Sequence, residues 1–217
     1  MAVEASNTAM VVGSTGLVGR HVVEQLTAQH LPVIALTRRR VADFPDGVEQ
    51  LLVDFDALMG GAEIPACQHL YVCLGTTIRR AGSRAAFRKV DLDYTVAVAE
   101  RARASGATML TLVSSVGANA GSANFYLRTK GEVEDALLGL GFAAVNIFRP
   151  GLLTGAREQR RMLEGIAQHL AKVVEPIFVG GLSRYRSVAA DKLAAAMVEP
   201  EHHLQGTRYW HFADLPG

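Results

Sequence analysis

The chain has 217 residues, 49% of them apolar and 20% charged, the mix of a soluble globular domain long enough to bury a sizeable core. Its 22 Lys and Arg against 21 Asp and Glu leave a formal charge of +1, which gives no basis for nucleic acid or an anionic membrane as a partner. No apolar run approaches the roughly 20 residues that span a bilayer.

An apolar run from Ala9 to Val12 reads as a buried strand, and it runs directly into Gly13-Ser14-Thr15-Gly16-Leu17-Val18-Gly19. Val18, Val22 and Leu26 then recur every fourth residue, marking one face of a helix. Strand, GxxGxxG turn and helix are the parts of a dinucleotide-binding unit. Gly13 would permit the tight turn, Gly16 the approach of backbone amides to a pyrophosphate, and Gly19 the close seating of the helix. The helix start would offer unsatisfied N–H groups and partial positive charge to the phosphates.

Strand and helix patterns then alternate almost throughout, which predicts an α/β, doubly wound, mostly parallel sheet with helices on both faces. Leu31–Leu36, Val48–Val53 and His69–Leu74 read as strands two to four. A helical stretch from about Ser83 to Ser105 precedes strand five, Met109–Val113. Phe125–Leu140 reads as a helix closed by Gly139 and Gly141, and Ala143–Phe148 as strand six. Helices over Glu158–Ala171 and Asp191–Val198 and an edge strand over Thr207–Phe212 complete the pattern. No linker or repeat interrupts it, so the whole chain is expected to form one Rossmann-type domain, residues 155–217 being a short substrate-region extension.

In such a fold the residue ending strand two meets the adenosine ribose, where a carboxylate would repel a 2′-phosphate. That place holds Thr37, followed by Arg38, Arg39 and Arg40. Guanidinium groups suit a phosphate through forked hydrogen bonds, so the reading is NADP(H) over NAD(H), bound through Arg38 and Arg39; the plain alternative is a solvated basic loop. Asp54-Phe55, after strand three, would lie beside the adenine, with a capping or turn role equally open for Asp54. Leu74, Gly75 and Thr76, at the carboxyl end of strand four, are placed to line the pyrophosphate or ribose.

Strand five ends in Ser114-Ser115, and the following helix carries Tyr126 and Lys130, four residues apart and so on one face. These are the groups needed to move a proton at a carbonyl or alcohol oxygen beside a nicotinamide. A phenol of free pKa about 10 serves as general acid or base once its phenolate is stabilised. Lys130 would supply that charge and hold ribose hydroxyls, and Ser115 would bond the substrate oxygen, with Ser114 its rival.

The ordered set of GxxGxxG, serine and YxxxK resembles the short-chain dehydrogenase/reductase superfamily, and more narrowly its atypical branch typified by the Tat-interacting-protein-like oxidoreductases. "GSTGLVGRHVVEQL", "CLGTTIRRAGS", "KVDLDY", "LVSSVGA", "YLRTKGEVE" and "FRPGLLTG" carry the resemblance, from about Val11 to Gly155. It implies that Gly13, Ser14, Thr15, Gly16, Leu17, Val18 and Gly19 hold the phosphates and that Arg38 meets the 2′-phosphate. It implies catalytic roles for Ser115, Tyr126 and Lys130, both latter residues also touching cofactor together with Ser114. Pro150, Gly151, Leu152 and Leu153 would sit beside the nicotinamide. The implied activity is NADP(H)-dependent reduction of a small carbonyl substrate, or oxidation of the matching alcohol. An NADP(H) sensor with little or no turnover is the alternative, and a sugar-nucleotide epimerase-like role a third. Pairing of long helices such as Ser83–Ser105 in that superfamily implies a homodimer.

Beyond Gly155 the chain is short, so the substrate pocket is expected to be small or open and shaped by residues 156–186. Arg157, Arg160 and Arg161 read as a solvated helix face, with selection of an anionic substrate the alternative. The seven histidines, His202 and His203 included, show no metal-ligand spacing, and no metal is expected. Cys67 and Cys73 form no CxxC pair and read as buried reduced thiols, and the first residues lack a signal-peptide pattern. Together these point to the cytoplasm.

Overall fold

The computed structural model describes residues 7–154, 187–199, 205–211 and 214. The expected helix over Glu158–Ala171, the substrate segment 156–186 with its three arginines, and His202-His203 lie outside the described residues.

Seven strands form one parallel sheet: β1 (Ala9–Val12), β2 (Val33–Thr37), β3 (Glu49–Leu52), β4 (His69–Val72), β5 (Met109–Val113), β6 (Ala144–Phe148) and β9 (Gly206–Trp210). Their order across the sheet is β3-β2-β1-β4-β5-β6-β9. Leu153–Thr154 (β7) pairs with Val188–Ala189 (β8) as a separate two-stranded sheet that the sequence pattern does not announce. The helices are α1 (Leu17–Ala28), α2 (Phe55–Met59), α3 (Ile78–Ala81), α4 (Arg84–Arg88), α5 (Tyr94–Ala104), α6 (Phe125–Leu138) and α7 (Ala190–Met197).

Alternate residues of a strand face opposite sides, and both sides here are apolar. Met10, Val12, Leu70, Val72, Leu110 and Leu112 pack toward Leu58, Val98, Val133 and Leu137 of α2, α5 and α6. Ala9, Val11, Tyr71 and Phe148 pack toward Val22, Leu26, Leu193 and Met197 of α1 and α7. A sheet covered on both faces is what near-continuous apolar strands require.

Most strand ends differ from expectation by a residue or two, and the reasons are local. β2 begins at Val33, after Pro32, which carries no N–H for the ladder. The long helix expected over Ser83–Ser105 is interrupted: Lys89–Asp93 forms a π-helical turn between α4 and α5. Such a turn admits one extra residue and turns the side chains after it, a feature that periodicity cannot reveal. Two short helices, α2 and α3, were not expected. Each is started by a side-chain cap, Asp54 accepting from the Asp56 N–H at 2.9 Å and Thr77 from the Arg80 N–H at 3.1 Å.

The turn after β1 is the tightest point of the sheet. Gly13 has φ +78°, and a Cβ there would lie 2.4 Å from the carbonyl carbon and oxygen of Cys73. A Cβ on Gly19 would lie 2.2 Å from the Gly13 carbonyl oxygen, so α1 can sit on the turn only with glycine at that place. Gly13→Ala is therefore expected to lower unfolding free energy by about 2 kcal/mol or more, measured by urea denaturation. A loss within about 0.5 kcal/mol would contradict this packing.

Candidate active site

The strand order reverses between β1 and β4, because the chain crosses from β3 over β2 and β1 to continue on the other side. At such a switch point the turns beyond two neighbouring carboxyl ends diverge and leave a crevice. Here the crevice lies between the glycine turn after β1 and the Cys73–Thr77 turn after β4, and it has two lobes.

The first lobe, about 350 Å³, is lined by Gly13, Thr15, Gly16, Thr37, Arg38 and Phe55, with Tyr94 and the Leu74–Thr76 backbone opposite. Gly16 caps α1 without any side-chain hydrogen bond, which leaves the first-turn N–H groups of the helix open toward the lobe. Thr37 is 4% exposed and its hydroxyl has no partner, so the lobe that Arg38 also lines holds a buried polar atom without a hydrogen bond. Phe55 stacks on Tyr94, ring centroids 5.1 Å apart, to form an aromatic wall. An uncapped helix start, an orphaned hydroxyl, a guanidinium and a flat aromatic wall fit the adenosine phosphate half of a dinucleotide.

The second lobe, about 260 Å³, is lined by Leu17, Val18, Asp91, Ser114, Tyr126, Lys130 and Leu153. Gly16, Cys73, Leu74, Gly75, Thr76 and Arg80 border both lobes. Asn124 sets the start of α6 by accepting from the N–H groups of Tyr126 and Leu127 at 2.9 and 3.3 Å. The Tyr126 ring lies against the buried Phe87 of α4, centroids 5.7 Å apart. One turn on, Lys130 Nζ meets Asp91 Oδ1 at 2.7 Å, the two side chains 8% and 0% exposed. The other Asp91 oxygen accepts from the Thr76 N–H at 2.9 Å, so one carboxylate of the π-helical turn ties Lys130 to the β4 turn. Burial by itself lowers the Lys130 pKa, but the charge of Asp91, then Tyr126, the hydrogen bond to Asp91 and the charge of Glu134 outweigh it. The net displacement is upward, and Lys130 is an ammonium at neutral pH.

Ser114, not Ser115, belongs to this lobe. The Ser115 hydroxyl is turned to the carbonyl of Val116 at 3.4 Å, whereas Ser114 is 5% exposed, lines the lobe and bonds Glu134. Both serines lie just past the end of β5, where spacing alone leaves open which of them turns to the lobe. Other expected contacts also fall elsewhere. Ser14 is fully buried and its hydroxyl donates to the Leu36 carbonyl at 3.3 Å, so its side chain braces the turn against β2. Asp54 is the cap of α2 and only Phe55 reaches the crevice. Arg39 is exposed and does not line either lobe, and of Pro150 to Leu153 only Leu153 does. The Pro150 and Leu152 carbonyls instead accept from Val116 and Val188, holding the loop after β6.

Three residues of the site escape sequence reasoning. Arg80 borders both lobes, with nothing to set it apart from Arg79 and Arg84. Asp91 and Glu134 are acidic residues on otherwise buried helix faces, Asp91 four after Phe87 and Glu134 four after Lys130. A charge at a core position is a signal in itself.

The family model described as NAD(P)H-binding matches residues 13–174, which takes in the glycine turn, the β4 turn and the Tyr126–Lys130 helix. The chain belongs to this NAD(P)H-binding family. Among its relatives, protein HTATIP2 of Rattus norvegicus is 36% identical over 171 residues, covering 75% of this chain and 69% of that protein. Protein FMP52, mitochondrial, of Candida albicans is 35% identical over 182 residues, 79% of each chain. The structure is also similar to UDP-glucose 4-epimerase from Thermotoga maritima solved with UDP-glucose, with a TM-score of 0.70 over 96% of this chain and 78% of that one, at 15% identity. Human epimerase family protein SDR39U1, solved with NADPH, gives 0.62 over 94% and 74%, also at 15% identity. These neighbours share the Rossmann-type fold of an oxidoreductase-like, NAD(P)H-binding domain, and the resemblance to the short-chain dehydrogenase/reductase superfamily and its Tat-interacting-protein-like branch holds.

The expectation of a cytoplasmic location does not. FMP52 proteins of Candida albicans, Coccidioides immitis and Emericella nidulans, 31–35% identical to this chain, are named mitochondrial. Reduced thiols and the lack of a secretory pattern, on which that expectation rested, are compatible with more than one intracellular compartment.

The Asp91–Lys130 pair yields a prediction. Asp91→Asn leaves a buried ammonium without its counter-charge, which costs about 3–5 kcal/mol, whereas exchanging both partners for Leu and Met restores much of that loss. Urea denaturation of the two variants measures it; an Asp91→Asn loss under about 1 kcal/mol would contradict the pairing.

Proposed function

We propose that the protein is an NADP(H)-dependent oxidoreductase that reduces a small carbonyl substrate, with Tyr126 as the proton donor. The observation that carries this reading is the shared border of the two lobes. The glycine turn and Arg38 belong to one, Ser114, Tyr126 and Lys130 to the other, and Gly16 and Gly75–Thr76 to both. One dinucleotide laid across that border would span from the phosphate-binding residues to the phenol.

Arg38, Thr37 and the open start of α1 would hold the phosphate-bearing half, and Thr37 in place of a carboxylate, with Arg38 beside it, favours the 2′-phosphate of NADP(H). Lys130, fixed by Asp91, would hold ribose hydroxyls. When bound, the reduced nicotinamide supplies the hydride. Tyr126 gives its phenolic proton to the oxygen of the substrate, and the Lys130 ammonium one turn away offsets the phenolate charge that remains. The Tyr126 hydroxyl makes no hydrogen bond among the described residues, so it is available to a substrate. Leu17, Val18 and Leu153 give the second lobe, about 260 Å³, apolar lining suited to a small aldehyde, ketone or quinone.

The test is NADPH consumption, followed by absorbance, against a panel of small aldehydes, ketones and quinones. Turnover is expected with NADPH in preference to NADH. Tyr126→Phe is expected to lower kcat by about 100-fold or more with NADPH affinity retained. Tight NADPH binding without turnover of any panel member would overturn the enzyme reading in favour of a nucleotide-sensing role.

A further inference from the structure

Cations crowd one short stretch of a chain that is nearly neutral as a whole. From Ile78 to Lys89 it carries Arg79, Arg80, Arg84, Arg88 and Lys89 with no acidic residue between them. Three of these charges are used within the fold. Lys89 Nζ bonds Asp56 Oδ1 at 2.8 Å, Arg88 bonds Glu132, and the Arg84 guanidinium lies 5.2 Å from the centre of the Phe125 ring. Arg79 and Arg80 are exposed neighbours on α3, a helix that buries none of its side chains. The Arg80 backbone N–H donates to the Thr77 hydroxyl at 3.1 Å, but its guanidinium has no protein partner among the described residues. Arg79 lines neither lobe, whereas Arg80 borders both.

The charge balance of the crevice gives that place a meaning. Among the described residues, the charged side chains that line the two lobes are Arg38, Arg80, Lys130 and Asp91. Lys130 and Asp91 offset each other at 2.7 Å. Two uncompensated guanidinium groups remain, Arg38 in the first lobe and Arg80 on the shared border. Free cations of one sign in a cleft favour an anion there. NADP(H) carries its negative charge in two places, the 2′-phosphate of the adenosine ribose and the pyrophosphate that joins the two nucleosides. Arg38 follows the end of β2, where the adenosine ribose is expected. The pyrophosphate links the two halves, so a dinucleotide that fills both lobes carries it across their border. The open N–H groups of α1 reach that border from the Gly16 side, and Arg80 stands on it beside the β4 turn.

We propose that Arg80 is a cofactor-binding residue that holds the dinucleotide pyrophosphate from the β4 side of the crevice, across from the glycine turn. This rests on the NADP(H) reading of the crevice. The guanidinium fork spans two phosphate oxygens at once, which a lysine ammonium does not. Arg38 and Arg80 thereby divide the charge of the cofactor, each reading a different phosphate.

The experiment measures affinity by calorimetry for NADPH and for ADP-ribose, which has the pyrophosphate without the 2′-phosphate. Arg80→Ala is expected to weaken both about tenfold or more, the worth of a charged hydrogen bond, and Arg80→Lys to recover part of the loss. Arg38→Ala is expected to weaken NADPH and leave ADP-ribose within about twofold. Arg79→Ala removes the same charge one residue away, and both affinities are expected to stay within about twofold. The urea midpoint of Arg80→Ala is expected to match the wild type, because the guanidinium bonds no protein group. Unchanged affinities in Arg80→Ala would overturn the proposal, as would an equal loss in Arg79→Ala, which would mark a diffuse basic field instead of a contact. A wild type that takes up neither probe would overturn the NADP(H) reading and the proposal together, so the two failures are read from different proteins.

Discussion

At the end of β1 the backbone of Gly13 lies against the backbone of Cys73 with no space for a methyl group between them. Everything about the crevice follows from that approach. It sets the glycine turn opposite the β4 turn, directs the start of α1 into the gap, and leaves Gly16 and Gly75 as the shared floor of the two lobes. Cys73 is half-buried and borders both lobes, and desolvation pushes its thiol up to about 12, so the sulfur at that wall is a thiol rather than a reactive thiolate at neutral pH.

The second organising feature is α6, whose inward face carries Tyr126, Lys130 and Glu134 one turn apart. Each is held from outside the helix. Phe87 packs on Tyr126, Asp91 pairs with Lys130, and Arg149 and Ser114 bond Glu134. Two of those supports, Phe87 and Asp91, flank the point where α4 passes into the π-helical turn. That turn aims Asp91 inward at the lysine. Two buried ion pairs on one helix face are an expensive arrangement by packing standards, and their joint effect here is to pin Lys130 and Ser114 at the border of the second lobe.

The fold was legible because its signals are periodic and local. The glycine turn, the apolar strands and the α1 stripe of Val18, Val22 and Leu26 each announce themselves within a dozen residues, and the sheet they build is the one observed. Of the candidate site, the sequence made legible only the residues that line the two lobes from the glycine turn and α6. Tyr126 and Lys130 follow from helical spacing, but which of Ser114 and Ser115 faces the second lobe depends on the path of the backbone just past the end of β5. Asp91 and Glu134 sit among apolar neighbours, and their partners lie 39 and 15 residues away along the chain, at Lys130 and Arg149, beyond the reach of any local pattern. The interruption of the expected Ser83–Ser105 helix belongs to the same class, since an extra residue in one turn leaves the apolar stripe almost unchanged.

The central claim is that the glycine turn and the Tyr126–Lys130 face meet on a single nucleotide. A crystal structure of the protein grown with NADPH tests it most directly. The account predicts the pyrophosphate over the start of α1, the 2′-phosphate at Arg38 and the nicotinamide ribose within hydrogen-bond reach of Lys130. A nucleotide seated in the Arg38 lobe with its nicotinamide end turned away from Tyr126 and Lys130, or no nucleotide in the crevice at saturating NADPH, would contradict it.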